Sequence, residues 1–365
     1  MKKLALICLS LILLLSVFAC AKQEPAAEQT ARPTEAPIVT EAPVVTEAPE
    51  ATEAPVVTEA PVVTEAPTEA PAEPQEPVNV AALAGPTGMG LAYMMQDMQD
   101  YYSVELFTAP DQVTAKIING EVDIAAVPIN LASVLYAKTG GKINVIAINT
   151  LGVLYVLENG NAINSISDLA GKTIWSTGEG STPEYILNYL LDANGLTDSV
   201  KVEYIADNAE LIAKLADGSV EVALLPEPHV SIAMAQNENV RVALKVNDLW
   251  AEKNDTELVQ GVYIVRTDYL AEHKDQVDAF LKDAETSARK VVTEEDAAAV
   301  VVAQGIIGKE PIAKRAIPNC NITLITGAQM KASVSAMLKV LFDANPKSVG
   351  GAMPGDDFYY AADPS

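Results

Sequence analysis

The sequence predicts a two-lobed α/β protein. Each lobe is a mostly parallel sheet flanked by helices, and a hinged cleft separates them. Two observations predict this class. A thirteen-residue unit occurs twice, as Lys116–Pro128 and as Lys214–Pro226, with five identical positions. Upstream of each copy, a strand runs into a Gly-rich turn and a helix. Strands that alternate with helices are typical of parallel α/β layers, and two such layers imply two lobes.

The segments upstream of the two copies correspond element by element. Each contains a strand, a Gly-rich turn and a helix. In the first segment these are Val78–Ala84, Gly85–Gly90 and a helix through Tyr93. In the second segment they are Lys172–Thr177, Gly178–Pro183 and Glu184–Ala193. Each copy of the unit then reads as a helix end, a glycine cap at Gly120 or Gly218, a buried strand and a terminating proline.

Apolar strands between and after the two units predict where the chain crosses between lobes. Val145–Asn149 and Val153–Leu157 are separated by a short Gly-containing turn, and Val262–Val265 follows the second unit. We therefore expect one folded domain over residues 78–365, with lobe one formed by about 78–155 plus 264–365. Lobe two is then formed by about 156–263.

The C-terminal part is predicted to be helical. Its apolar residues recur at the 3.6-residue spacing of an amphipathic helix; they are Val277, Phe280, Leu281, Ala284, Ala288 and Val291, then Met330, Val334, Met337, Leu338 and Leu341. Thr326–Gln329 predicts a capping box for the second of these helices.

Residues 1–20 have the layout of a secretory signal. Lys2 and Lys3 precede an apolar run, and the segment ends at Val17–Cys20, which resembles a bacterial lipobox. Cleavage there would leave Cys20 as a lipid-modified N-terminus, which anchors the protein to the membrane. An uncleaved signal anchor is the alternative.

Residues 21–77 form a linker of low complexity. Thr-Glu-Ala-Pro occurs seven times, eleven prolines and no glycine are present, and the net charge is −10. Proline removes backbone donors and stiffens the chain, so this segment is predicted to be a spacer that crosses a thick, Gram-positive cell wall. A wall-binding repeat is the alternative.

Charge and motifs exclude several classes of function. The chain has 49 acidic and 24 basic residues and a net charge of −25, which disfavours nucleic acid as a partner. Two His residues, three Cys residues and the absence of HExxH, GxSxG or paired-Cys patterns argue against metal, hydrolase and redox sites. We expect no catalytic residues, metal or cofactor, although carboxylate catalysis stays open. Cys320 is expected to be a buried apolar residue.

Ligands of parallel α/β layers bind beyond the C-terminal ends of the strands, so four loops are expected to line the cleft. The Gly-rich turns offer backbone N–H groups and hydroxyls, and the alternative is that they only cap their helices. For Glu227 and His229 the alternative is an exposed rim. The predicted ligand-binding residues are Thr87, Gly88, Met89, Asn130, Thr150, Gly180, Ser181, Thr182, Tyr185, Glu227 and His229.

Several of these segments resemble a known family. Ser165–Ile174, Gly180–Tyr185, Leu190–Leu196 and the paired Gly-x-Val-Asp/Glu strands are similar to substrate-binding lipoproteins of ABC importers. The resemblance covers residues 78–365 and is closest to the nitrate, sulfonate and taurine group (NitT/TauT), which includes thiamine-pyrimidine binders. It implies a type II periplasmic-binding-protein fold that closes on a solute and delivers it to a permease with its ATPase. The resemblance also implies a lipid-anchored protein on the extracellular face of the cell membrane. Related pyrimidine synthases use a Cys-rich motif that this sequence lacks, so binding rather than catalysis is expected.

The predicted solute is a pyrimidine-like heterocycle rather than a sulfonate. None of the four Arg residues beyond the linker falls in the cleft loops, so a strong anion clamp is missing. Glu227 suits a nitrogen-containing solute, and Tyr155, Trp175 or Tyr185 is available to stack on a ring. A ligand-sensing receptor and a two-lobed enzyme of the chorismate-derived lyase kind are the alternative functions.

Overall fold

The strands form two mixed sheets in the computed structural model, which describes residues 76–360. The strands are β1 (Val78–Leu83), β2 (Tyr102–Phe107), β3 (Ile124–Pro128), β4 (Ile143–Leu151), β5 (Leu154–Asn159), β6 (Thr173–Ser176), β7 (Lys201–Tyr204), β8 (Val222–Pro226), β9 (Val240–Lys245), β10 (Val259–Arg266) and β11 (Ile322–Ile325). The signal, Cys20 and the linker up to residue 75 lie outside the described residues, so those predictions stay open.

Helices flank both sheets. They are α1 (Pro86–Met89), α2 (Ala92–Asp97), α3 (Pro110–Ile118), α4 (Ile129–Thr139), α5 (Thr182–Ala193), α6 (Asn208–Asp217), α7 (His229–Gln236), α8 (Val246–Ala251), α9 (Thr267–Glu272), α10 (Lys274–Thr293), α11 (Ala297–Ala303), α12 (Glu310–Ala316) and α13 (Gly327–Ala344). None of the helices within residues 76–360 combines the length and apolar character of a membrane span.

The two sheets have the strand orders β11-β4-β10-β3-β1-β2 and β7-β6-β8-β5-β9. The predicted two-lobed α/β class is confirmed. The pairing is less parallel than predicted. Parallel pairs join β1 to β2 and β3, and β6 to β7 and β8. By contrast, β10 is antiparallel to β3 and β4, and β5 is antiparallel to β8 and β9. These exceptions are strands at or next to the two crossings between the sheets, where the chain changes sheet instead of returning to its own sheet by a βαβ crossover.

The chain passes between the sheets twice. The first crossing is the short turn between β4, in the first sheet, and β5, in the second. The return runs from β9 through α8 into β10. β10 begins at Val259 and pairs in the first sheet. The chain therefore re-enters the first lobe a few residues before residue 263, the approximate end predicted for lobe two. The repeated units form α3–β3 and α6–β8, and Gly120 and Gly218 take left-handed φ values of +72° and +82°.

One helix start differs from the sequence prediction. Thr326 lies at the N-cap of α13, but its side chain makes no capping hydrogen bond, so the predicted capping box does not form. The next residue, Gly327, has a left-handed φ of +62°, which gives the chain a different entry into the helix.

Candidate functional site between the lobes

The first Gly-rich turn is tied to the end of β4. The side-chain amide of Asn149 donates to the carbonyl oxygen of Thr87 at 3.1 Å. The hydroxyl of Thr150 lies 3.3 Å from the carbonyl oxygen of Pro86 and 3.0 Å from the Asn149 amide oxygen. Thr87 and Thr150 are thus brought together as expected. Sequence reasoning missed Asn149, which reads as the polar end of an apolar strand.

Two predicted residues of this turn are packed into the protein. Met89 is fully buried among apolar side chains of α2, α11 and α12. A Cβ atom at Gly88 would lie 2.5 Å from the carbonyl oxygen of Leu83. In this structure Met89 therefore belongs to the core rather than to a ligand surface, because the four-residue helix α1 turns it away from the loop.

The second Gly-rich turn satisfies its own donors. The backbone N–H of Gly180 donates to the Glu184 carboxylate at 2.6 Å, and the Ser181 hydroxyl donates to the Gly178 carbonyl at 2.5 Å. Thr182, half-buried, is the first residue of α5. A carboxylate already occupies the place where an anionic ligand would bind. Ser181 is the N-cap of α5, but its hydroxyl bonds within its own turn and does not cap the helix, so the capping alternative does not describe Ser181.

Tyr185 joins the two lobes instead of facing a ligand. Its ring is buried, and its hydroxyl donates to the Gly180 carbonyl at 2.7 Å. The same hydroxyl accepts a hydrogen bond of 2.9 Å from the side-chain amide of Asn345, which follows α13. The predicted stacking role of Tyr185 does not fit this burial. Helix α13 packs against α5 and covers the ring.

Replacing Tyr185 with Phe is expected to destabilise the fold by about 1–2 kcal/mol, because the Gly180 carbonyl and the Asn345 amide lose a buried partner. Urea denaturation measures this difference. Tyr101→Phe is the matched control, since Tyr101 is 69% exposed. Equal losses in the two variants would contradict the assigned contact.

Glu227 lies at the end of β8 and is buried, with 2% of its surface exposed. One carboxylate oxygen accepts from the backbone N–H of Ser231 and the other from its hydroxyl, both at 3.1 Å. Asn319 and Arg315, from the first lobe, face the same carboxylate. The exposed-rim alternative is therefore wrong for Glu227, and the first-lobe partners could not be found from sequence.

Burial raises the pKa of Glu227 from its ordinary value of 4.5 to about 7, because the charged form loses water. The hydrogen bonds from Ser231 and Asn319 and the charge of Arg315 partly oppose that change. The carboxyl group thus changes charge near neutral pH. Burial, followed by the charge of Glu227, also raises the pKa of the buried Cys320 thiol.

The other two predicted residues lie near the ends of their strands. His229 is the half-buried first residue of α7. Burial lowers its pKa, and the charge of Asp207, at the end of the β7 loop, opposes this. Asn130 is half-buried in the first turn of α4.

The C-terminal edges of the two sheets meet. The hydroxyl of Tyr155 on β5 donates to the carbonyl oxygen of Asn319 at 2.7 Å. Tyr155 thus joins the two lobes in this structure, instead of stacking on a ligand ring. Helix α7 of the second lobe packs against α12 of the first. The backbone N–H of Gly85, at the end of β1, donates to the Ile306 carbonyl at 3.2 Å. Residues that follow β1 and β8 thereby share one interlobe region.

No group of His, Cys, Asp and Glu within residues 76–360 is arranged to hold a metal ion. Cys320 is buried in the apolar cluster around α11 and α12, as the sequence predicts.

Comparison with known proteins agrees with this geometry. The model of the family described as NMT1/THI5 like matches residues 149–298. Residues 149–298 of this chain are therefore similar to that family. This match, together with the fold, confirms the family resemblance expected from the sequence. No curated protein matches the sequence.

Solved structures are similar to this chain over about three quarters or more of its length. An ABC transporter structure from Parabacteroides distasonis is 24% identical, with a TM-score of 0.69, and the match covers 79% of this chain and 100% of that one. The periplasmic aliphatic sulphonate binding protein of Escherichia coli is 20% identical, with a TM-score of 0.61 and coverage of 76% and 91%. A ligand binding component of an ABC-type import system from Staphylococcus aureus is 16% identical, with a TM-score of 0.58 and coverage of 79% and 97%. At these identities the similarity establishes the two-lobed fold.

Proposed function

We propose that the protein is an extracellular solute-binding lipoprotein. It captures a small molecule between its two lobes and delivers it to an ABC import permease and ATPase. The observation that carries this proposal is the packing of α7, which follows β8, against α12 of the first lobe, in a chain that crosses between the sheets twice. The segment before α12 also accepts the hydrogen bond from Gly85 at the end of β1. A solute held there contacts both lobes, and its binding energy favours the closed arrangement.

The names of the structural relatives support transport over the alternatives. One is an ABC transporter, one binds aliphatic sulphonates and one belongs to an ABC-type import system. A ligand-sensing receptor or a lyase remains the second function to test. Lipidation at Cys20 and a cell-wall-crossing linker complete the proposal, because capture outside the cell requires the domain to stay near its permease.

We favour a pyrimidine-like heterocycle over a sulfonate as the solute. The Glu184 carboxylate occupies the donor of the second Gly-rich turn, which disfavours an anion there. Arg315 contributes only a minor favourable charge to Glu227, which is held mainly by its hydrogen bonds to Ser231. Glu227, which titrates near neutral pH, suits a solute with both hydrogen-bond donors and acceptors once the lobes separate.

Thermal-shift screening of the full-length protein tests this function. A solute at 100 times its Kd is expected to raise the melting temperature by about 5 °C. Pyrimidines and alkanesulfonates are screened side by side, and each bound solute is then recovered. Stabilisation by alkanesulfonates alone would reject the pyrimidine, whereas a chemically altered solute would favour the enzyme.

The placement of the cleft makes a separate prediction. Combined substitution Thr87→Ala, Thr150→Ala and Glu227→Gln is expected to weaken binding of the identified solute at least about tenfold, since each altered polar group contributes about 1 kcal/mol of hydrogen bonding to the solute. Isothermal titration measures the affinity. The matched control combines Thr286→Ala, Ser199→Ala and Glu238→Gln, which lie outside the interlobe region. Unchanged affinity in the first triple variant would show that the cleft is elsewhere.

A further inference from the structure

An apolar groove of about 450 Å³ lies between the lobes next to Glu227. One wall belongs to the second lobe, and the other is formed by the α11–α12 connection and α12 of the first lobe. Its lining includes Pro228, Ile232, Ile306, Ile307 and Ile312, and the exposed Gln236 and Lys309 lie at its edge. Four isoleucines from two lobes thus line one open groove.

The size of the groove indicates a small molecule as its occupant. Small-molecule sites in proteins typically have volumes of about 300–1,000 Å³ and mostly apolar walls. A helix of a partner protein, about 10 Å wide, requires a longer trough than this. The aliphatic walls disfavour a charged group in the groove, because such a group would lose water without gaining a partner. Lys309 is exposed at the edge of the groove.

The groove is continuous with the interlobe region described above. Pro228 directly follows the buried Glu227, and Ile306 accepts the hydrogen bond from Gly85 at the end of β1. Ile306 and Ile307 are nearly fully buried, whereas Ile232 and Ile312 are half-buried and flank the opening. A group in the groove therefore contacts both lobes. Two residues that line the groove adjoin the polar cleft loops, because Pro228 is bonded to Glu227 and Ile306 is hydrogen-bonded to Gly85.

We propose that this groove binds an apolar arm, alkyl or aryl, of the captured solute, while the polar part of that solute faces the loops after β1 and β8. This assignment rests on the proposed solute-binding function. It divides the cleft into a polar part and an apolar part. The solute class is therefore a small heterocycle or other polar head that carries a compact apolar substituent, rather than a small inorganic anion.

Methyl NMR of the full-length protein labelled at the isoleucine δ1 positions tests the groove directly, with straight-chain alcohols from ethanol to pentanol as probes. We expect saturable shifts at the methyls of Ile232, Ile306, Ile307 and Ile312. Affinity is expected to rise about fourfold per methylene. Ile232→Trp, which fills the groove, is expected to weaken pentanol binding at least about tenfold. Ile118→Trp is the matched control, since Ile118 is 52% exposed on α3.

Ile312→Trp fills the groove from the opposite lobe, so the test does not depend on a single variant, and the melting temperature of each variant shows that it is folded. Absence of saturable shifts at the four methyls, or equal pentanol affinity in wild type and both groove variants, would overturn the groove assignment.

Matched solutes separate this inference from the proposed function. Pyrimidines and sulfonates, each with and without a butyl arm, are titrated into wild type and Ile232→Trp. We expect the variant to lose affinity for the butyl member of the bound pair and to keep affinity for the member without it. Equal loss or equal retention of both members overturns the arm while leaving solute binding intact. Failure of wild type to bind any screened solute overturns the proposed function itself.

Discussion

Replacing Glu227 with Gln is expected to abolish a pH-dependent loss of stability. The free energy of unfolding of the wild-type protein should fall by about 3 kcal/mol between pH 4.5 and 7, and that of the variant should not. The pKa of this buried carboxyl is about 7 in the folded protein, against an ordinary value of 4.5. The folded protein thus holds the proton more tightly than the unfolded chain. The stabilising contribution is fully present below pH 4.5 and is lost as the pH rises through 7.

The glutamine side chain keeps the shape of Glu227 and retains hydrogen bonding to Ser231, but it has no charge to bury. The variant is therefore expected to gain on wild type as the pH rises, and to be the more stable protein above pH 7. Urea denaturation of both proteins from pH 4 to pH 8 gives the difference curve, in which the other titrating groups cancel.

Glu238→Gln is the control for this experiment, because it removes an exposed carboxylate of the second lobe rather than a buried one. A difference curve for Glu227→Gln that matches the control curve would mean that the Glu227 carboxylate reaches water in solution. Because Asn319 and Arg315 of the first lobe face Glu227, such a result would also indicate that the lobes are apart in the unliganded protein.

Replacing Gly88 with Ala is expected to destabilise the fold by about 3 kcal/mol. A Cβ atom there would lie 2.5 Å from the Leu83 carbonyl oxygen and 3.3 Å from the Cβ of Ala82. Both neighbours belong to β1, which is held between β3 and β2 and cannot easily move. The helix α1 must shift instead, and overpacking of this kind costs about 1–3 kcal/mol.

That shift also strains the hydrogen bond between Asn149 and the Thr87 carbonyl, so the loss is expected at the upper end of the range. Gly308→Ala is the matched control, since its Cβ would meet nothing within 4 Å, and we expect a change below about 0.5 kcal/mol. Chemical denaturation compares the two. A Gly88 variant as stable as the Gly308 variant would contradict the close packing of α1 on β1.

Local patterns predicted most of the elements but less of the site. The repeated unit correctly predicted β3, β8 and the glycines that end the preceding helices, because strand burial and a left-handed cap depend on neighbouring residues. The capping box at Thr326 was wrong, since the conformation of Gly327 changes how the chain enters α13. The mostly parallel pairing was also too simple, since strand direction at a crossing depends on the path of the whole chain.

The candidate site shows the same division. Thr87 and Thr150, both expected from the sequence to bind the ligand, do lie in adjacent segments, since the Thr150 hydroxyl is near the Pro86 carbonyl oxygen. Their role in binding stays a prediction. The sequence could not place Asn319 beside Glu227, or Asn345 beside Tyr185, which are separated by 92 and 160 positions along the chain. Contacts of that range depend on how whole helices pack.

The sequence by itself determined that the protein is a two-lobed α/β chain with a signal-like N-terminus and a proline-rich linker, because apolar periodicity, glycine caps and proline act over a few residues. Only the tertiary structure decided which polar groups already have hydrogen-bond partners within the protein. Glu227, which lies between prolines in a loop that reads as exposed, becomes buried against the first lobe, and Ile232 forms one groove with three isoleucines that lie more than 70 positions further along the chain. The reason is physical: burial and desolvation are set by all the atoms around a group, and most of those atoms come from elsewhere in the chain.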